Sequence, residues 1–306
     1  MRNVKKFGLP YRGSKNSIAA WIVDLLPPAD TFCDLFFGGG AVTHAAMLSG
    51  KYKHFIANDI DADMPKFFAE CAKGLHTTKT HAEFITREKF HELKRKDKYI
   101  SLCWSFGNNQ NDYLYGKDVE PLKQALHNAV FFNYADALCA FGLQITKSTL
   151  NDIHSRYIYY KNQIKKNTQK RAELQSLERL ESLERLQSLE SLERLQSLEN
   201  LEIYGSDYQS VPIPAGAVIY CDIPYKKTRC SYIAEKFDYA RFYYWAEQQE
   251  NIFISEYSMP KEFILVAERN KNVLSTNKGA CEKAKEKIFT NKQTFEKYKL
   301  ELQGLI

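Results

Sequence analysis

Short apolar runs, punctuated by turn residues, divide the two ends of the chain into strands. Residues 31–37, Thr31-Phe32-Cys33-Asp34-Leu35-Phe36-Phe37, read as a buried strand that stops at Gly38-Gly39-Gly40, and residues 41–49 continue with helix-compatible spacing. A second strand follows at residues 54–61 and finishes on acids, Asp59 and Asp61. Strand, glycine turn, helix and strand at this length predict a parallel unit with a right-handed crossover, the start of a doubly wound α/β sheet. Four further strand candidates come late, at 201–204, 217–221, 252–255 and 263–266, so one sheet is expected to be interrupted and then completed.

The interrupting region has a different pattern. Residues 63–169 are rich in Lys, His, Asn, Tyr and Phe, with helical periodicity over 87–96 and 120–140, which predicts a mostly helical insertion. Within it, residues 105–116 form a turn-rich loop loaded with amides and aromatics. Over 170–202 Leu recurs every third residue, at Leu174, Leu177, Leu180 and onward, between Glu, Arg, Gln and Ser. That composition favours helix. Yet a three-residue step turns an α-helix by about 300°, so the Leu positions wind around the cylinder instead of keeping one stripe. An extended helix and a stack with three residues per step both fit, and the low complexity reads as a length-variable spacer without chemistry. The expected organisation is a catalytic domain from 1–62 and 203–306, a helical insertion over 63–169, and the repeat tract.

Composition changes this picture little. A chain of 306 residues with 44% hydrophobic and 26% charged residues can bury a full core, which argues against disorder throughout. The net charge of +6 is a mild bias toward polyanions. Seven cysteines, odd in number and without a Cys-x-x-Cys pair, read as reduced thiols, and no metal site is expected. With neither a secretory signal at the first residues nor an apolar run of about 20 residues, a cytoplasmic protein is expected.

The chemistry concentrates in Asp222-Ile223-Pro224-Tyr225, which sets an acid at the carboxyl end of an apolar strand, where open α/β sheets bind ligands. A carboxylate and the neighbouring Ile223 carbonyl suit a planar amine whose lone pair is delocalised into its ring. Tyr225 offers a face on which a base could stack. Alone, the tetrapeptide reads equally as a strand-ending turn.

Its company decides the matter. With Pro10-Tyr11-Arg12-Gly13-Ser14-Lys15 and Asp34-Leu35-Phe36-Phe37-Gly38-Gly39-Gly40 ahead of it, in that order, the chain resembles Dam-type DNA adenine-N6 methyltransferases of the alpha class, phage-borne relatives included. The resemblance implies a Rossmann-like S-adenosylmethionine-dependent methyltransferase sheet with an inserted target-recognition region. It implies methyl transfer to the exocyclic amine of an adenine flipped out of double-stranded DNA. Asp222, Ile223, Pro224 and Tyr225 would be catalytic. Tyr11, Lys15, Asp34, Phe36, Gly38 and Gly40 would surround the cofactor, Lys15 near its carboxylate. Asp59, with Ile60 beside it, would take the ribose, and Asp207 with Tyr208 the cofactor's adenine.

DNA contacts are expected from Arg12 and from the insertion, where Asn108, Asn109, Gln110 and Asn111 could read adenine edges or merely form turns. Lys117, Lys123 and Lys147, and the loop carrying Lys226, Lys227 and Arg229, are phosphate-contact candidates. Phe237-Asp238-Tyr239 and residues 253–257 are expected to wall the target-base pocket. One departure stands out: Ile223 replaces the first of the two prolines in the family's commonest tetrapeptide, which costs rigidity and keeps the carbonyl. Methylation of cytosine N4, RNA or a protein amide, and a nucleic-acid-binding protein without catalysis, are the rival readings. A monomer and a weak dimer both fit.

Overall fold

The computed structural model describes residues 7–168, 179–190, 192, 198–226, 236–274 and 281–303. The chain falls into two compact units, one of Met1–Leu9, Gly13–Ala69 and Leu195–Ile306, the other of Pro10–Arg12 and Glu70–Arg194. In chain order the elements are α1 (Ala19–Leu25), β1 (Thr31–Asp34), α2 (Ala41–Ser49), β2 (His54–Asn58), α3 (Asp63–Ala72), α4 (Arg87–Leu93), α5 (Lys98–Cys103), α6 (Glu120–Phe132), α7 (Asp136–Cys139), α8 (Ile153–Thr168), α9 (Glu181–Glu190), β3 (Leu201–Tyr204), β4 (Val218–Asp222), α10 (Tyr239–Glu247), β5 (Ile252–Ser255), β6 (Phe263–Leu274), β7 (Cys281–Asn291) and α11 (Lys292–Gln303). Among the described residues no helix is long and apolar enough to cross a membrane.

The first unit is built on one seven-stranded sheet of order β3-β2-β1-β4-β5-β7-β6. The strands β3, β2, β1, β4 and β5 pair in parallel, and β7 runs antiparallel to both β5 and β6. This is the doubly wound, mostly parallel sheet expected from the sequence. Two features were not anticipated: the strand β7, and the length of β6, which continues to Leu274 instead of stopping at 266.

Alternation along the central strands explains the layers. Phe32, Val218, Tyr220 and Phe253 point to one face and pack with Ile22, Val23, Ala45 and Ala46 of α1 and α2. Cys33, Ile219, Cys221 and Ile254 point to the other, where α10 supplies Phe242 and Ala246. Burying these apolar side chains, at about 1.5–3 kcal/mol for each large one, is what holds the layers together. From β1 the chain builds outward to β2 and β3 on one side, then returns to lay β4 and β5 on the other. The order therefore reverses between β1 and β4, and the carboxyl ends of these two strands are Asp34 and Asp222. Such a reversal opens the crevice that binds ligands in sheets of this kind.

The second unit is helical in its described part, apart from an isolated antiparallel bridge between Ser105 and Tyr113. Thr86 caps α4 and Asp97 caps α5, each through a side-chain oxygen that accepts a backbone N–H. The helical pattern of 120–140 is broken at Asn133, whose left-handed backbone (φ +59°) ends α6 before α7 begins. In the described part of the Leu tract, α9 is an α-helix, and Leu180, Leu183, Leu186, Leu189 and Leu192 are all buried. Its polar residues are engaged as well: Arg185 donates to the carbonyls of Cys103 and Ser105 at 2.8 and 2.7 Å, and Glu190 accepts the backbone N–H of Thr78. Leucines that wind around a helix are useful where the helix has neighbours on several sides. This stretch is core of its unit, not the spacer that its composition suggests.

Candidate active site

The tetrapeptide begins where β4 ends, so Asp222 emerges at the carboxyl edge of the sheet next to the reversal point. Its carboxylate is held by Lys15, whose Nζ lies 2.6 Å from Oδ1 and 2.7 Å from Oδ2. The same ammonium stands 3.7 Å from Oε1 of Glu286 and 4.7 Å from the centre of the Tyr225 ring. Lys15 and Glu286 are buried, while Asp222 keeps 23% of its side chain exposed and so can meet a ligand. Burial alone pulls the Lys15 pKa down, but Asp222 and Glu286 outweigh it and the net shift is upward, so the ammonium stays charged.

Every residue of the tetrapeptide is fixed from outside. The Tyr225 hydroxyl donates to Glu286, and burial, with Asp222 and Glu286 close by, pushes its pKa well above the ordinary phenol value, which keeps the proton in place. The Tyr225 ring meets Tyr257 edge-on, with centroids 4.6 Å apart. The Pro224 carbonyl accepts the Tyr239 hydroxyl at 2.8 Å. Ile223 is buried in the apolar layer beneath α10. Just beyond, the buried carboxylate of Glu256 accepts the backbone N–H groups of Lys226 at 3.1 Å and Tyr257 at 2.6 Å. Ile223 thus replaces a proline in a segment whose geometry is set by neighbours rather than by a ring.

At the end of β1, Asp34 is buried, and one of its oxygens accepts the Thr43 hydroxyl at 2.7 Å. The other, Oδ1, has no partner among the described residues. Burial, reinforced by the charges of Asp222 and Asp59, raises the Asp34 pKa to about 7 despite the Thr43 bond and the nearby Phe36 N–H. The glycine turn follows. Gly38 donates its N–H to Asp59 at 2.7 Å, and the other Asp59 oxygen accepts the N–H of Asp61. Gly40 adopts φ +65° as the N-cap of α2, and a Cβ there would overlap the Phe37 ring. Asp59 therefore braces the turn it follows. Ile60, beside it, is 75% exposed, an apolar side chain left open at the sheet's carboxyl edge.

Asp207 and Tyr208 lie just past β3. Asp207 caps a 3-10 turn by accepting the Gln209 N–H and is clasped by Arg241, whose two terminal nitrogens reach its oxygens at 3.0 Å each. Tyr208 packs among Phe36, Phe237, Phe242 and Trp245, with Arg241 over its ring. Its hydroxyl is buried with no partner among the described residues. Sequence reading missed Arg241 and Glu286, and it named Glu256 only as part of the stretch 253–257, without its role in holding Lys226 and Tyr257. Arg241 had a local signal, standing two residues after the singled-out Phe237-Asp238-Tyr239.

Of the expected cofactor residues, Lys15, Asp34, Phe36, Gly38, Gly40, Asp59, Ile60, Asp207 and Tyr208 all belong to the first unit. Tyr11, half-buried, and Arg12, exposed, group with the second. In that unit the side chains of Asn108, Asn109 and Gln110 are engaged within the loop or with residues just before it, while Asn111 is exposed. Asn109 accepts the N–H groups of Asn111 and Asp112 and donates to Asp112, and Asn108 donates to the Leu102 carbonyl. Asn108 and Gln110 both have left-handed backbones, and Gln110 accepts from Lys98 at 3.4 Å. Lys117 and Lys147 are exposed. Lys123 is buried, bonded to the Arg179 carbonyl and Glu181, so it is structural rather than a phosphate contact. Lys226 is exposed, and Lys227 and Arg229 lie outside the described residues.

No curated protein sequence matches the chain. A protein family does, over residues 11–298, a span that includes the first motif from Tyr11 on, the other two motifs whole and both edge strands of the sheet. The chain belongs to the D12 class N6 adenine-specific DNA methyltransferases, enzymes that methylate adenine N6 in DNA with S-adenosylmethionine as methyl donor.

Proposed function

We propose that Asp222 and the Ile223 carbonyl grip the N6 amine of an adenine flipped out of double-stranded DNA, with Tyr225 stacked on the base. Two acceptors aimed at the amine hydrogens draw its nitrogen toward tetrahedral geometry and free the lone pair for attack. The Asp222 charge then stabilises the positive charge that grows on that nitrogen, and orientation supplies much of the remaining acceleration. The Pro224 carbonyl is engaged by Tyr239, which leaves Ile223 to supply the main-chain acceptor.

S-adenosylmethionine supplies a methyl group already activated on a sulfonium. The unpartnered Oδ1 of Asp34 fits this cofactor, because a buried acceptor without a donor is costly and the methionine ammonium is a matching donor. Asp59 and Ile60 would take the ribose and the adenine face, and Asp207 the adenine amine, with Arg241 holding Asp207 in place. Lys117, Lys226, Arg12 and the amides of the 105–116 loop, of which Asn111 is exposed, would contact DNA. The second unit would serve as the target-recognition region of an enzyme working in the cytoplasm.

The observation that carries this reading is a partly exposed Asp222 at the reversal point, held by buried Lys15 and followed by a tetrapeptide whose Pro224 and Tyr225 are pinned by Tyr239 and Glu286. The test is label transfer from methyl-tritiated cofactor to unmethylated plasmid. Asp222→Ala should lower turnover by about 100-fold or more, the scale of removing one such electrostatic group, while cofactor binding persists. Wild-type turnover in that variant would refute the assignment.

A further inference from the structure

No sequence motif marks Glu286, yet its buried carboxylate touches both working parts of the site. It accepts the Tyr225 hydroxyl, and its Oε1 is 3.7 Å from Lys15 Nζ. Lys15 meanwhile bonds both oxygens of Asp222. One ammonium is thus shared by two carboxylates, which leaves a net charge of −1 on the three groups. Glu256, another buried acid nearby, is held separately by two backbone N–H groups.

This arrangement conflicts with the chemistry proposed for Asp222. As the methyl group arrives, positive charge grows on the amine nitrogen. An ammonium bonded to both oxygens of the carboxylate that holds the amine would repel that charge and compete with the amine for the carboxylate's lone pairs. Expelling a buried ammonium to no partner would be worse. We propose that Glu286 is a positioning residue that takes Lys15 over from Asp222 when the target amine enters. A shift of about 1 Å would bring Nζ from 3.7 Å into the usual range of a charged hydrogen bond with Glu286. Lys15 then stays paired, and the one uncompensated negative charge is left on Asp222, facing the amine. The same carboxylate keeps the Tyr225 ring in place through its hydroxyl during the exchange.

The inference rests on the role proposed for Asp222, so its test runs beside Asp222→Ala. Glu286→Gln keeps the size and an oxygen acceptor for Tyr225 but removes the charge. With the full chain, cofactor and plasmid, kcat should fall at least tenfold, with KM for cofactor and for DNA within threefold of wild type. In a Lys15→Gln background, adding Glu286→Gln should change kcat by less than threefold, since no ammonium is left to hand over. A wild-type kcat in Glu286→Gln, or the same tenfold loss repeated in the Lys15→Gln background, overturns the inference. A crystal structure of wild-type enzyme with sinefungin and target DNA decides independently. Nζ within hydrogen-bond distance of Glu286 and off Asp222 supports the hand-over, and Nζ still on both Asp222 oxygens beside a bound adenine rejects it. If Asp222→Ala is active, the reading of the site fails. If Asp222→Ala is dead and Glu286→Gln behaves as wild type, only the hand-over fails.

Discussion

At the scale of single residues, Asp34 makes the sharpest statement. Its folded pKa, raised from 3.8 to about 7 chiefly by burial, means that the carboxyl group is about half protonated near neutral pH. A raised carboxyl pKa contributes stability that is full below the unfolded value and is lost as pH climbs through the folded one. Asp34→Asn removes that ionisation and keeps an oxygen for Thr43. Its melting temperature relative to wild type should therefore be higher at pH 8.5 than at pH 5.5, measured by thermal denaturation without cofactor. Cofactor affinity should move the other way. If the ionised Asp34 takes the methionine ammonium, binding to wild type should tighten several-fold from pH 6 to pH 8, and Asp34→Asn should bind weakly at both, as read by calorimetry. A pH-independent affinity would remove Asp34 from the cofactor site. The identities of Asp34, Asp222 and Lys15 were legible in the chain because each stands in a short motif. Their mutual contacts were not, since Lys15 and Asp222 are 207 positions apart and only the closed sheet brings them together. Lys123 shows the opposite error: a lysine in a basic, polar stretch reads as surface until the fold buries it against Glu181.

Among the elements, the buried parallel strands were the most legible, because a strand covered on both faces is an unbroken apolar run. The strand β7 was hidden because its first part reads Cys281-Glu282-Lys283-Ala284-Lys285-Glu286-Lys287, a composition that favours helix. Only its last part crosses the core, pairing Ile288, Phe289 and Thr290 with β5, while the rest pairs with β6 alone. Tertiary pairing overrides propensity there, and the overlooked strand carried the overlooked Glu286. The Leu tract misled for a related reason. A three-residue period is not amphipathic, and a helix without an apolar stripe is ambiguous until its neighbours are known. The buried Leu186 of α9 gives the test. Leu186→Ala should cost about 2–5 kcal/mol in urea denaturation of the full chain, as expected of a core leucine. A cost within about 0.5 kcal/mol, the range of an exposed position, would return the tract to the role of spacer.

For the whole molecule, the order of the strands explains why motifs at the two ends of the chain serve one reaction. The sheet starts with β1 and β2, is left for more than a hundred residues, and is rejoined by β3 and β4, so that Asp34 and Asp222 end on adjacent strands. That closure was inferable from the pattern of apolar runs, and the family match from residue 11 to residue 298 agrees with it. The charge of +6 and the family's DNA substrate agree as well, though charge alone could not have chosen DNA over any other polyanion. What separates adenine N6 from the chemically similar cytosine N4 is the shape of a pocket, which no motif states. The most direct test is therefore the identity of the product. Unmethylated plasmid, treated with the purified enzyme and S-adenosylmethionine, is digested to nucleosides and analysed by mass spectrometry. The account predicts N6-methyldeoxyadenosine that accumulates with time and is absent with Asp222→Ala. N4-methyldeoxycytidine in its place, or DNA left unmodified by a folded, cofactor-binding enzyme, would contradict it.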